Sequence, residues 1–219
     1  MGAMSNKVQF LPYDPNNAKI AFAQYEYGSQ GGSDMDKLKK DIDAAKAKGH
    51  SAVAVWYNPK KKHPFLQSMN TGDIYIRGHG MPGFKSIEGG RGGERVDYDV
   101  VADRLIESGL KKTFSGKIKC YNCHSAESGD PATDPECLGP PFARLVADEL
   151  FSRGYKHCTF YGYLGRIDSF VKDGSRGKHH YTRDVQGGKL VELGRASEAR
   201  IQFHPKIKMR KPNFFQRLF

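Results

Sequence analysis

Short apolar runs alternate with stretches of helical periodicity through most of this chain. Three stretches have helical spacing and end in a glycine that suits a helix C-terminus, at Gly49, Gly109 and Gly154. The apolar runs between and around them predict strands, at positions 19–25, 51–57, 74–77, 117–122 and 157–163. Because parallel strands need a crossover of this kind, the alternation predicts an α/β fold with a mainly parallel central sheet.

The pattern changes after Gly165, where helical spacing stops. Two β-like runs flank Gly187-Gly188, which predicts a β-hairpin that we call the flap. The chain is therefore expected to divide into an N-terminal extension, a core, the flap and a basic tail, at 1–17, 18–165, 166–204 and 205–219. A length of 219 residues with 38% hydrophobic residues suits one such core.

The four cysteines are expected to be free thiols in a cytosolic or otherwise reducing compartment, because a chain with a visible core needs no disulfides. The net charge is +11, from 35 Lys and Arg against 24 Asp and Glu. This charge favours anionic partners. Nucleic acid is not expected among them, since no basic, aromatic-rich recognition motif is present. The tail at 205–219 mixes basic and aromatic residues and could contact an anionic membrane.

Two residues with complementary chemistry follow predicted parallel strands. His79 and Cys123 both lie just past a strand's carboxyl end, where open α/β sheets form their binding crevice. A thiol beside an imidazole can act as a nucleophile while the histidine transfers protons. The backbone N–H groups of Gly80 and Cys123 are the predicted oxyanion hole. The alternative is that His79 is an ordinary loop histidine and Cys123 a half-buried cysteine, neither with a catalytic role.

The segments IYIRGHGMPG and NCHSA, which contain His79 and Cys123, resemble motifs of the caspase-like clan of cysteine peptidases, and most of all the self-processing protease domains of large bacterial toxins. The resemblance spans about 19–193 and implies a three-layer sandwich and a peptide or protein substrate. It also implies a bacterial effector or toxin domain that is delivered to a target-cell cytosol and activated by inositol hexakisphosphate. Asn122 departs from the pattern, because the toxin domains usually have glycine there.

Basic residues are concentrated on and before the flap. Since a polyphosphate would find several charge-assisted donors there, we predict a polyanion site for inositol hexakisphosphate or a similar inositol polyphosphate. The alternative is a solvated basic loop. The candidate ligands are Arg166, Lys172, Arg176, Lys178, Arg183 and Lys189.

Other motifs overlap the same residues. Cys120, Cys123 and His124 fit the C-x-x-C-H pattern of haem attachment, but the preceding residues alternate as a strand. Zinc binding is disfavoured because two of the thiols lie within predicted strands, so we expect no metal. The G-x-G-x-x-G match at 78–83 opens no amphipathic helix, which argues against a dinucleotide site. The first hypothesis from the sequence is therefore a thiol endopeptidase. The second is a non-catalytic caspase-like binding or scaffold protein.

Overall fold

The computed structural model describes residues 5–14, 34–90, 93–130, 138–168, 172–175 and 177–205. Within these residues the central sheet has six strands: β1 (Asn6–Leu11), β2 (Ser51–Trp56), β3 (Asp73–Arg77), β6 (Lys117–Tyr121), β7 (Thr159–Tyr163) and β13 (Arg200–Phe203). Their order across the sheet is β13-β7-β6-β3-β1-β2. All neighbouring strands in it are parallel except β13, which is antiparallel to β7.

Helices cover both faces of this sheet. They are α1 (Asp34–Ala47), α2 (Pro64–Ser68), α3 (Tyr98–Glu107) and α4 (Phe142–Ser152). Because side chains alternate along a strand, Cys120 and Tyr121 point to opposite faces of β6. On the Cys120 face, Ala143 of α4 packs so closely against Gly162 of β7 that a Cβ there would collide with it. On the Tyr121 face, Asp41 of α1 reaches the sheet. This α/β arrangement, with its mainly parallel sheet, is compatible with a three-layer sandwich.

The predicted strands and helices that fall within the described residues lie close to observed ones, whereas the predicted strand at 19–25 lies outside the described residues. At two places the described strands differ from the predicted division of the chain. The chain at 1–17 was expected to be an extension, whereas β1 lies inside the sheet between β2 and β3. Its polar Gln9 is buried and accepts a hydrogen bond from Arg77, 3.4 Å away, so the strand lacks the apolar run that marks its neighbours. β13 was assigned to the flap but completes the central sheet.

Smaller sheets surround the core. The predicted hairpin is present as β11 (Tyr181–Gln186) and β12 (Lys189–Arg195), and β11 also pairs with β8 (Arg166–Ile167). Two short antiparallel ribbons are formed by β4 (Ser86–Glu88) with β5 (Arg95–Asp97) and by β9 (Lys172–Gly174) with β10 (Gly177–His179). Within the described ranges, no helix is both long and apolar enough to cross a bilayer.

Candidate active site

The two predicted catalytic residues lie at the same edge of the central sheet. β3 and β6 are parallel neighbours, and Arg77 pairs with Tyr121 at their carboxyl ends. His79 and Cys123 follow these paired residues at equal distances along the chain. The register therefore brings the histidine and cysteine loops together, as expected from the strand order.

Gly80 lies directly against the cysteine loop. A Cβ built on Gly80 would be 2.8 Å from the carbonyl oxygen of Cys123 and would collide with the side-chain nitrogen of Asn122. Any side chain at this position would thus force the loops apart. The histidine and cysteine loops therefore meet directly at this glycine.

Asn122 fills the space beside Gly80. It is 2% exposed, and its Oδ1 is buried without a hydrogen-bond donor in the described part of the chain. An unpaired buried amide oxygen costs about 1–3 kcal/mol. Such exceptions are few in native proteins and are found where function tolerates the cost.

The Cys123 thiol is half-buried beneath the first strand of the flap. Burial raises its pKa, while the backbone amide of Ile167 and the charge of Arg166 offset part of that rise. Asp168 acts in the opposite direction and raises the pKa further. In this arrangement Cys123 is therefore a neutral thiol near pH 7 and not a preformed thiolate.

The histidine loop is anchored from two sides. His79 forms a pair of backbone hydrogen bonds with Glu88 of β4, of 2.8 Å and 2.9 Å. The hydroxyl of the buried Tyr13 donates to the carbonyl of Arg77, 3.0 Å away. These contacts fix the backbone on both sides of Gly78, so the loop carrying His79 leaves β3 in a defined direction.

The turn after Cys123 is tied to the residue that precedes the flap. The His124 N–H donates to the Gly165 carbonyl, 2.8 Å away. Glu127 accepts from His124 Nδ1 at 3.0 Å and from the Gly165 N–H. Sequence reasoning did not identify Glu127 as a site residue, because its contact with Gly165 joins two loops that are distant along the chain.

A second group that the sequence analysis missed joins α1 and the core to the flap. Asp41 pairs with Arg77 at 3.2 Å, and both side chains are only 6% exposed. The other carboxylate oxygen of Asp41 is 3.2 Å from His180 Nε2, and the His180 ring contacts Tyr121 edge-on. The flap is therefore attached to the sheet by a contact between a carboxylate and an imidazole close to the candidate site.

The basic flap residues differ in their surroundings. Arg166 and Lys189 are exposed, and Lys189 lies at the hairpin tip. Arg183 is half-buried and pairs with Asp168 at 3.3 Å and Glu192 at 3.8 Å. The Lys172 and Lys178 side chains and all of Arg176 lie outside the described residues. The polyanion site remains a prediction, and within it Arg183 has carboxylate partners with which a ligand would compete.

The alternative cysteine sites find little support in the described structure. Cys120 is 2% exposed in the core, and burial raises its pKa. Cys158 is half-buried and donates to the Phe114 carbonyl, and burial raises its pKa to about 12. Cys137 lies outside the described residues. Among those residues no group of three His, Cys, Asp or Glu side chains is arranged to hold a metal ion.

Comparison with known proteins leaves the family open. No protein-family model matches the chain. One similar protein is a mitochondrial protein import protein, mas5, from Encephalitozoon cuniculi (strain GB-M1), with 26% identity over 141 residues. The aligned region covers 58% of this chain and 33% of that protein. The chain thus spans about a third of the length of the relative.

Proposed function

We propose that this protein is a thiol endopeptidase that uses Cys123 as nucleophile and His79 as general base and acid. The observation that carries the proposal is the parallel register of β3 and β6, which ends both strands side by side directly before these two residues. The close packing of Gly80 on Cys123 supports the proposal, because it brings the two loops into direct contact.

The reaction would begin when the Cys123 sulfur attacks the carbonyl carbon of a peptide bond and His79 accepts the thiol proton. The amides of Gly80 and Cys123 would donate to the oxyanion that forms. Collapse of this intermediate breaks the C–N bond, and His79 protonates the departing amine. Water then attacks the thioester, with His79 accepting its proton, and the acid product leaves as the thiol is restored.

The raised pKa of Cys123 bears on how the thiol is activated. A neutral thiol is a poor nucleophile, so proton transfer to His79 has to accompany the attack. The backbone of Ile167 also lies against the sulfur, so a bound peptide would need the first flap strand to move or to contribute to its binding. Both features are consistent with a peptidase whose resting state is weakly active.

The biological setting follows from the caspase-like resemblance. We propose that the protein is a bacterial effector or a self-processing toxin domain that acts in a reducing cytosol on a protein or peptide substrate. Inositol hexakisphosphate, an allosteric polyanion, would order the flap, and the basic tail would contact anionic membrane. Titration calorimetry at two salt concentrations tests polyanion binding, which should weaken as salt rises.

Peptide cleavage by matched variants tests the catalytic proposal. Cys123→Ala and His79→Ala should each abolish cleavage and leave the melting temperature nearly unchanged, since the two residues act as a unit at the sheet edge. Cys158→Ala is the control for loss of a thiol elsewhere and should keep activity. Cleavage by a folded Cys123→Ala protein would refute the proposal.

The second candidate is a non-catalytic binding or scaffold protein with the same sheet. It is favoured by the burial that raises the Cys123 pKa and by the cover that Ile167 gives the thiol. A peptide electrophile that reacts with thiols separates the two candidates. Selective labelling of Cys123 over Cys120, Cys137 and Cys158 supports the peptidase, whereas labelling of Cys123 as slow as that of the buried Cys120 supports the scaffold.

A further inference from the structure

The residue after the candidate nucleophile has an unusual backbone. His124 has a φ of 57°, and within the described ranges it is the one non-glycine residue with a positive φ. Residues with a Cβ adopt this left-handed conformation at an energetic cost, and such positions cluster at functional sites. The turn that carries Cys123 must therefore be held by contacts around it.

Glu127 supplies most of those contacts. Its carboxylate accepts from His124 Nδ1 at 3.0 Å and from the N–H of Gly165. Its own N–H donates to the His124 carbonyl at 3.0 Å, and its carbonyl accepts from Gly83 at 3.0 Å. One residue thus contacts the cysteine turn, the loop that follows His79 and the residue before the flap.

The charge of Glu127 strengthens the hydrogen bonds that its carboxylate accepts. Burial alone would raise the pKa of the carboxyl group, but hydrogen bonds from His124 and Gly165 outweigh it and lower the pKa. The side chain is therefore ionised at neutral pH. Hydrogen bonds to an ionised acceptor are shorter and stronger than those between neutral groups.

We propose that Glu127 is a positioning residue for Cys123, which holds the left-handed turn at His124 and so fixes the thiol and amide of the nucleophile. The inference rests on the proposed peptidase function. Glu127 touches no reacting atom in this arrangement and acts only through the turn. Its link to Gly165 would also transmit the position of the flap to the nucleophile.

Glycine provides the sharpest test, because it adopts a positive φ without a Cβ penalty. In the full chain, Glu127→Ala should lower kcat by about tenfold or more with KM nearly unchanged, since small misplacements of reacting groups cost up to about a hundredfold. His124→Gly should remain active. Adding His124→Gly to Glu127→Ala should restore most of the lost kcat, because glycine adopts the left-handed conformation without support from Glu127. Glu127→Gln, which keeps an acceptor for Gly165, should lose less than Glu127→Ala.

Melting temperatures of all variants separate unfolding from misplacement. Unchanged kcat in Glu127→Ala, or a loss that the glycine variant leaves undiminished, would overturn the inference. If the wild type shows no Cys123-dependent cleavage, the proposed function fails separately. The same variants are then compared by the rate at which iodoacetamide labels Cys123, where Glu127→Ala must change the rate and His124→Gly must reverse the change.

Discussion

Replacement of Gly80 by alanine probes the contact between the histidine and cysteine loops. The new methyl group would be 2.8 Å from the carbonyl oxygen of Cys123, a backbone atom that moves only with its loop. It would also meet the end of the Asn122 side chain, which can rotate away. The substitution should therefore displace Cys123 relative to His79 and leave the rest of the sheet in place.

The expected size of the effect follows from overpacking. Inserting a methyl group into a well-packed site costs about 1–3 kcal/mol. For a chain of this length each kcal/mol lowers the melting temperature by roughly 2–4 °C, so a fall of about 2–12 °C is expected. Peptide cleavage should fall by about tenfold to a hundredfold, since a displacement of ~1 Å in a reacting group has that effect.

Gly116→Ala is the matched control, assayed beside Gly80→Ala by thermal denaturation and peptide cleavage. Gly116 directly precedes β6, so it lies at the opposite end of that strand from Cys123. A methyl group at Gly116 would collide with the backbone of Gly72. It should lower the melting temperature similarly and spare the activity per folded molecule. Equal losses of activity in both variants, or full activity in Gly80→Ala, would refute the argument that the Gly80 contact positions Cys123 relative to His79.

Three further predictions concern stability and thiol chemistry. Asn122→Leu removes the unpaired buried oxygen and should raise the free energy of unfolding in urea by about 1 kcal/mol; a decrease would contradict the assignment of an unpaired Oδ1. Asp41→Ala removes the buried carboxylate that pairs with Arg77 and should lower that free energy by about 1.5–3 kcal/mol, whereas the exposed Asp43→Ala should have little effect. Because burial raises the Cys123 pKa, iodoacetamide labelling of Cys123 should be slow near pH 7 and accelerate as the pH rises, and a rate that does not vary with pH would contradict a neutral thiol.

Periodicity was sufficient to predict most of the regular structure. Helix α3 ends where Gly109 was expected to end it, with φ 110° at that glycine, and the strands that precede His79 and Cys123 lie within a residue or two of their predicted bounds. The order of strands along the chain also indicated that both residues reach one sheet edge. These features are local or follow from the handedness of crossovers, so the sequence determines them.

Features that depend on distant partners could not be predicted. β1 alternates polar and apolar residues because Gln9 finds a partner in Arg77, which no local pattern shows. β13 looks like any short strand, and its sequence does not indicate whether it pairs with the flap or with β7. The contacts of Glu127 with Gly165 and of Asp41 with His180 likewise join loops that are separate in sequence.

The charges around Cys123 restrict how a polyanion could activate it. Arg166 lowers the pKa of the thiol and Asp168 raises it, while Arg183 pairs with Asp168 at 3.3 Å. A polyphosphate that binds Arg166 or draws Arg183 from Asp168 would add negative potential at the sulfur and raise its pKa further. Activation through thiolate formation is therefore disfavoured electrostatically. A polyanion that accelerates cleavage has to act through geometry, by moving Ile167 from the thiol or by fixing Gly165 and the turn attached to it.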